Sequence, residues 1–211
     1  MDYKRDTTYW NSYYATDKIV REPSLFAQYI IEKYHEMICS LIDAGCGNGR
    51  DSLFFAAHGI RVVGIDASDQ AIRDLQDSHA ANTDFVCGDF VQKISEQGEV
   101  DAVYSRFSIH AIDRTQQSAF LKKSYDALKE NELLFIESRS IHDEIYGEGD
   151  CVGPDEYIFN GHYRRFLRLE ELQEELEAMG YEVAEASESR GYAPYGADDP
   201  MIIRCICRKK A

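Results

Sequence analysis

Positive charge is scarce in this chain: 23 Lys and Arg stand against 38 Asp and Glu, a formal net charge of −15. That balance repels a phosphodiester backbone, so no nucleic-acid partner is expected and a small-molecule substrate is favoured. Long apolar runs are missing as well. No stretch reaches the ~20 residues of a membrane span, and the opening MDYKRDTTYWNSYY has no continuous apolar segment of the kind a secretory leader needs. The six cysteines, at 39, 46, 87, 151, 205 and 207, form no C-x-x-C pair, and no metal site is expected. Reduced thiols in a cytoplasmic protein fit these absences. Proline is limited to four residues, and no linker, repeat or low-complexity tract divides the chain. A single domain over residues 1–211 is expected, as a monomer or homodimer.

What is present is a packed globular composition, 44% apolar and 12% aromatic. Residues 1–22 are aromatic and of mixed charge, and with the helix that Pro23 is expected to open they make an N-terminal arm and helix over 1–36. From residue 38 onward strands and helices alternate. Strands are expected at 38–43, 60–65, 84–87, 100–105 and 133–137, with a final pair near 181–186 and 201–208. Helices are expected at 52–58 (stopped by Gly59), 68–79, 113–129 (opened by the capping-box spacing Asp113 to Gln116) and 168–179. Residues 140–165 and 187–200 read as insertions. Such alternation implies an α/β, Rossmann-like doubly wound sheet in a three-layer αβα arrangement, with ligands outside the carboxyl ends of the strands.

Leu41-Ile-Asp-Ala-Gly-Cys-Gly-Asn-Gly-Arg50 places glycines at 45, 47 and 49 between an apolar strand and a helix. Backbone without Cβ lets a ligand approach closely there. IRVVGID then brings Asp66 to the next strand end, suitably placed to accept from both ribose hydroxyls of a nucleoside. A dinucleotide fold would want G-x-G-x-x-G, with glycine where Arg50 stands. The pattern resembles motif I of class I S-adenosyl-L-methionine (SAM) methyltransferases, with Asp43 as its leading acid, and is similar to small-molecule and tellurite-resistance-type bacterial members. Cys87-Gly-Asp89-Phe90, Val100–Arg106 and Leu128–Phe135 resemble the family's third, fourth and fifth strand regions. The resemblance implies seven strands in the order 3-2-1-4-5-7-6 with the last antiparallel, SAM as cofactor and S-adenosyl-L-homocysteine as product. It also implies cofactor contacts from Asp43, Gly45, Cys46, Gly47, Gly49, Asp66, Ala67, Asp89 and Phe90. Asp66 and Asp89 are also good helix N-caps, and Asp43 is also suited to ordering the loop.

The methyl acceptor has to be read from the other loops. Arg106 and His110 follow the fourth strand directly and are the candidate catalytic pair. Arg106 is open to three roles: a guanidinium for an anionic acceptor or the SAM carboxylate, a partner for an acid of the fold, or a surface residue. His110 is a base or a packed histidine. His162-Tyr163-Arg164-Arg165 is the densest cationic and aromatic cluster in an acidic chain and suits a phosphate or carboxylate. A helix leader facing the acids at 170–174 accounts for it equally. Trp10 and Tyr14 resemble an aromatic arm that closes over SAM, with Tyr13, Arg21 and Tyr195 on the acceptor side. The expected activity is methyl transfer to a small anionic acceptor, achieved chiefly by positioning. The alternatives are a neutral hydroxyl, amine or chalcogen acceptor with His110 as base, or a SAM-binding subunit without catalysis.

Overall fold

The structure, a computed structural model, describes residues 3–14 and 22–210, with side chains for 8–12, 14 and 22–210. Arg21 and the side chain of Tyr13 lie outside the described residues. Helix α1 (Tyr3–Tyr14) leads, followed by α2 (Leu25–Tyr34). Ser24 caps α2 by accepting from the Ala27 amide at 3.0 Å, so Pro23 precedes the cap and is not the first helical residue.

Five units of parallel sheet follow: β1 (Ser40–Ala44), β2 (Arg61–Asp66), β3 (Thr83–Cys87), β4 (Val100–Arg106) and β5 (Leu128–Arg139). Helices α3 (Arg50–Ala57), α4 (Asp69–Asp77), α5 (Phe90–Lys93) and α6 (Arg114–Ala127) connect them. After α7 (Leu169–Ala178), β9 (Tyr181–Ser189) and β10 (Ile202–Lys209) complete a seven-stranded sheet in the order β3-β2-β1-β4-β5-β10-β9. β10 runs antiparallel to both β5 and β9. This is the expected order, with the last strand reversed as expected.

The middle strands are apolar runs because both of their faces are covered. Ala102 and Tyr104 of β4 pack with Phe26 and Ile30 of α2 and Phe55 of α3 on one face. Val103 packs with Phe120 of α6 and Leu172 of α7 on the other. Asp113 forms the expected capping box with Gln116 at the start of α6. No helix among the described residues is long and apolar enough to cross a membrane.

Two expectations change. Residues 140–165 contain a separate three-stranded antiparallel sheet, β6 (Asp150–Gly153), β7 (Glu156–Phe159) and β8 (His162–Arg165). The cue was present: Asn160-Gly161 between two short β-prone runs, with φ of 52° and 77°, suits a tight hairpin turn. The cationic cluster is therefore a strand and not a helix leader. Strand β9 also runs on to Ser189, so the second insertion starts at residue 190.

Candidate cofactor and acceptor site

The carboxyl ends of β1, β2 and β4 surround a cavity of about 680 Å3, a size typical of small-molecule sites, roughly 300–1,000 Å3. Its floor is the turn from β1 into α3. Gly45, Gly47 and Gly49 take φ of 82°, 55° and 72°, a region that side chains with a Cβ rarely enter. Each bare Cα faces something different. A Cβ on Gly45 would lie 2.4 Å from Ser108 Cβ, on Gly47 2.2 Å from the Tyr14 hydroxyl, and on Gly49 2.5 Å from Leu75 Cδ2. Gly45, Cys46 and Gly47 line the cavity. Gly49 lies outside the lining, and its lack of a side chain serves the packing of α4 against α3.

Asp66 and Ala67 form the wall above β2. Asp66 accepts from the amides of Gly47 and Ser68, each at 2.8 Å, which ties the strand end to the glycine turn. Burial raises its pKa against those amide donors. Asp43 also lines the cavity and accepts from Ser52 Oγ at 2.6 Å. Burial pushes its carboxyl up to about 7 against that hydrogen bond, with Asp51 and Asp66 adding to the rise. Phe90 supplies an apolar wall. Asp89 does not reach the lining. It caps α5, accepting from the Val91 amide at 2.8 Å, which was its alternative reading.

α1 lies across this region. Trp10 and Tyr14 line the cavity and stack with ring centroids 5.9 Å apart. Asn11 Oδ1 accepts from Ser68 Oγ at 2.7 Å, fixing the arm to the start of α4.

On the far side, Arg106 lines the cavity at the end of β4, and its Nε donates to Glu137 Oε1 at 2.8 Å. Thus the acid-paired reading of Arg106 holds, while its Nη groups make no hydrogen bond among the described residues. His110 sits in the turn after β4, 5% exposed, with Nδ1 buried and unpartnered. Burial and then the cationic Arg164 and the nearby His162 hold its pKa well below 6.5. It does not reach the cavity lining.

Alternation along β8 sends His162 and Arg164 to one face and Tyr163 and Arg165 to the other. His162 stacks on Tyr9 at 4.5 Å and meets the edge of Trp10 at 5.0 Å, so the arm and β8 are joined by aromatic contact. Burial, helped by Arg164, takes the His162 pKa down to about 4. Arg164 is half-buried, has no ion pair, and has a buried Nε with no partner among the described residues. Arg165 differs. It is 2% exposed and donates through Nε to Ile112 O (3.1 Å) and through Nη2 to Ile109 O (3.4 Å) and Gln117 Oε1, so it holds the His110 turn in place. The Tyr163 hydroxyl is buried and unpartnered. Tyr195, 63% exposed, lines the outer rim with Arg139 and Asp198.

The sequence did not point to Asp51, Tyr104 or Glu137. Asp51 lines the cavity and accepts from Ser24 N (2.7 Å), Ser24 Oγ (2.8 Å) and Tyr104 Oη (2.7 Å), anchoring the entry of α2. The available cue was only a polar residue in the first turn of a helix that follows a glycine loop.

Comparison with known proteins locates the match in the cofactor half. Residues 41–131 match a family model described as a methyltransferase domain. Three Schizosaccharomyces pombe proteins, each called an uncharacterized methyltransferase, are 35% identical over 83 residues, 38% of this chain and 55% of each relative. The match therefore spans about half the length of these curated relatives. Among solved structures, a Burkholderia thailandensis 1,6-didemethyltoxoflavin-N1-methyltransferase, solved with S-adenosylhomocysteine, superposes with a TM-score of 0.67 at 19% identity, over 88% of this chain and 77% of that one. The [4+2]-cyclase SpnF superposes at 0.69 and 17% identity, over 99% of this chain and 94% of that one. At such identities the likeness is one of fold, and the second case shows that this fold also hosts other chemistry. Residues 41–131 thus carry the sequence of a methyltransferase domain, and the whole sheet has the order and fold of the SAM-dependent methyltransferase structures it resembles.

Proposed function

We propose that this protein transfers the methyl group of SAM to a small anionic acceptor, a phosphate- or carboxylate-bearing metabolite or glycan, releasing S-adenosyl-L-homocysteine. The residues present fit the cofactor: a cavity floored by positive-φ glycines, and Asp66 at the strand end beside the apolar Phe90. In this reading Asp66 accepts from the ribose hydroxyls, Gly45 to Gly47 present backbone to the sulfur end, and Trp10 and Tyr14 exclude water from above. When bound, SAM supplies a methyl carbon on a sulfonium sulfur, and transfer makes the acceptor–carbon bond as the carbon–sulfur bond breaks toward sulfur. The protein's task is then alignment and dryness, worth several orders of magnitude in rate without a proton transfer.

The observation that carries the anionic acceptor is Arg164. Among the described residues it forms no ion pair, and the charges of Asp143 and Glu148 favour it only from further away; a half-buried guanidinium is costly unless something neutralises it. The nearby Arg139, which lowers the Arg164 pKa after burial, makes an anion there still more favourable. His110, kept neutral by burial and these cations and set back from the cavity lining, does not deprotonate the acceptor. The second reading, a neutral hydroxyl, amine or chalcogen acceptor with His110 as base, draws on the unpartnered Nδ1.

Calorimetry with SAM and S-adenosylhomocysteine, and radiolabelled methyl transfer to a panel of acidic and neutral metabolites, tests the proposal. Transfer confined to acidic acceptors, lost in Arg164→Ala, is expected, without a histidine-type titration between about pH 6 and 8. Full activity of Arg164→Ala toward an acidic acceptor would refute the anionic reading. Cofactor binding with no transfer to any acceptor would favour a non-catalytic subunit.

A further inference from the structure

Arg106, Glu137 and Arg204 stand side by side across three neighbouring strands. The register pairs Arg106 of β4 with Glu137 of β5, and Arg204 of β10 with the same Glu137. Each carboxylate oxygen takes one Nε, Oε1 from Arg106 at 2.8 Å and Oε2 from Arg204 at 2.7 Å. Glu137 is 0% exposed. Arg204 is held further between the rings of Phe26 (4.8 Å) and Tyr192 (4.0 Å) and donates to Tyr192 O at 3.0 Å. Arg106 lies 4.4 Å over the ring of Phe107, whose amide donates to Glu137 O at 2.9 Å. Arg204 is thus engaged on every side, while Arg106 is gripped only through Nε and keeps its two Nη groups free on the cavity wall. Two guanidiniums on one carboxylate leave one positive charge unmatched.

Around Arg106 the same cavity carries buried carboxylates. Asp51 receives hydrogen bonds from the neutral donors of Ser24 and Tyr104, with the Arg50 Nε 4.0 Å from its Oδ1, and Asp43 receives one from Ser52. The charges of Arg106 and these two acids act on one another. A guanidinium edge with no hydrogen bond among the described residues, beside two buried acids, is the complement of an α-amino-acid zwitterion, a carboxylate beside an ammonium. A purely anionic acceptor would meet Asp51 as repulsion and hold the proton on Asp43, whereas an ammonium would draw Asp43 into its ionised form.

We propose that Arg106, aimed by Glu137, is the receptor for the α-carboxylate of the cofactor's amino-acid tail, with Asp43 and Asp51 facing its ammonium, and that it does not serve the acceptor. This rests on the methyltransferase reading. It divides the two cationic groups between the two ligands: Arg106 takes the cofactor tail and Arg164 the acceptor.

The test is isothermal calorimetry with two nucleosides, S-adenosylhomocysteine and 5′-methylthioadenosine, which keeps the adenosine and sulfur but has no amino-acid tail. Losing a charge-assisted hydrogen bond of about 1.5–3 kcal/mol should weaken S-adenosylhomocysteine about 10- to 150-fold in Arg106→Gln. Binding of 5′-methylthioadenosine should stay within about threefold, which also shows that the variant is folded. Arg164→Gln should bind both as wild type does. Equal weakening of both nucleosides in Arg106→Gln, or no weakening of either, would overturn the assignment while leaving the methyltransferase reading intact. Wild-type protein that binds neither nucleoside would overturn both.

Discussion

Arg164 and Arg165 are neighbours of identical chemistry, and the structure predicts opposite responses when each is replaced by methionine. Methionine keeps much of the apolar stem and removes the charge. At 165 the loss strands Ile112 O and Gln117 Oε1, both served by that guanidinium. Each buried acceptor left unsatisfied costs about 1–3 kcal/mol, so Arg165→Met should lose roughly 2–5 kcal/mol. At 164 nothing is stranded, since that side chain has no ion pair and its Nε no partner among the described residues. Removing it relieves the burial of a charge and its repulsion by Arg139. A gain of about 0.5–2 kcal/mol is expected, the usual size when a residue kept for function is replaced for stability. Urea denaturation of both variants with the slope unchanged would measure this directly. Thermal midpoints should move by about 2–4 °C per kcal/mol in a domain of this size, upward for 164 and downward for 165. A loss of more than about 1 kcal/mol in Arg164→Met would refute the argument. It would mean that the guanidinium holds the fold together, and the case for an anionic acceptor would lose its support.

Two further outcomes follow from the cavity floor. Gly45→Ala should destabilise the protein by roughly 2–5 kcal/mol, from a positive φ of about 1–2 kcal/mol and overpacking of about 1–3 kcal/mol against Ser108 Cβ. Adding Ser108→Gly should restore only the packing share, and a double variant no more stable than Gly45→Ala would show the contact is unimportant. Asp43, whose carboxyl titrates at about 7 in the fold against 3.8 in the free chain, keeps a proton that the unfolded chain releases between those values. Stability without cofactor should therefore fall as pH rises from about 4 through about 7, and Asp43→Asn should flatten that slope in denaturation curves taken across the range. Identical pH profiles for the two proteins would count against the buried, proton-holding Asp43.

The alternation of strands and helices, the glycine turn after β1 and the acid at the end of β2 were legible because each rests on local chemistry, while the order of the sheet came from the family resemblance. Apolar β-branched runs, glycines where φ must be positive, and capping residues such as Asp113 act within a few positions along the chain. The same locality explains the partial misses. Asp89 and Gly49 satisfy both a structural role and a ligand role by type, and only their surroundings separate the two: the first accepts from the Val91 amide as a cap, and Leu75 occupies the space beside the second. The hairpin of β7 and β8 carried its Asn160-Gly161 signal, but four-residue strands hold too few alternations to stand out. Charge partnership was beyond reach. Arg106 meets Glu137 because β4 and β5 pair in parallel, and Glu137 meets Arg204 because β10 inserts antiparallel beside β5 and sets a register over a separation of 67 residues. The sequence by itself determined that the chain is acidic and apolar enough to fold, and its local pattern that strands and helices alternate. Which of its arginines are spent on the protein and which remain available to a ligand was decided only by strand register and burial. Those depend on contacts between distant segments, which no local pattern records.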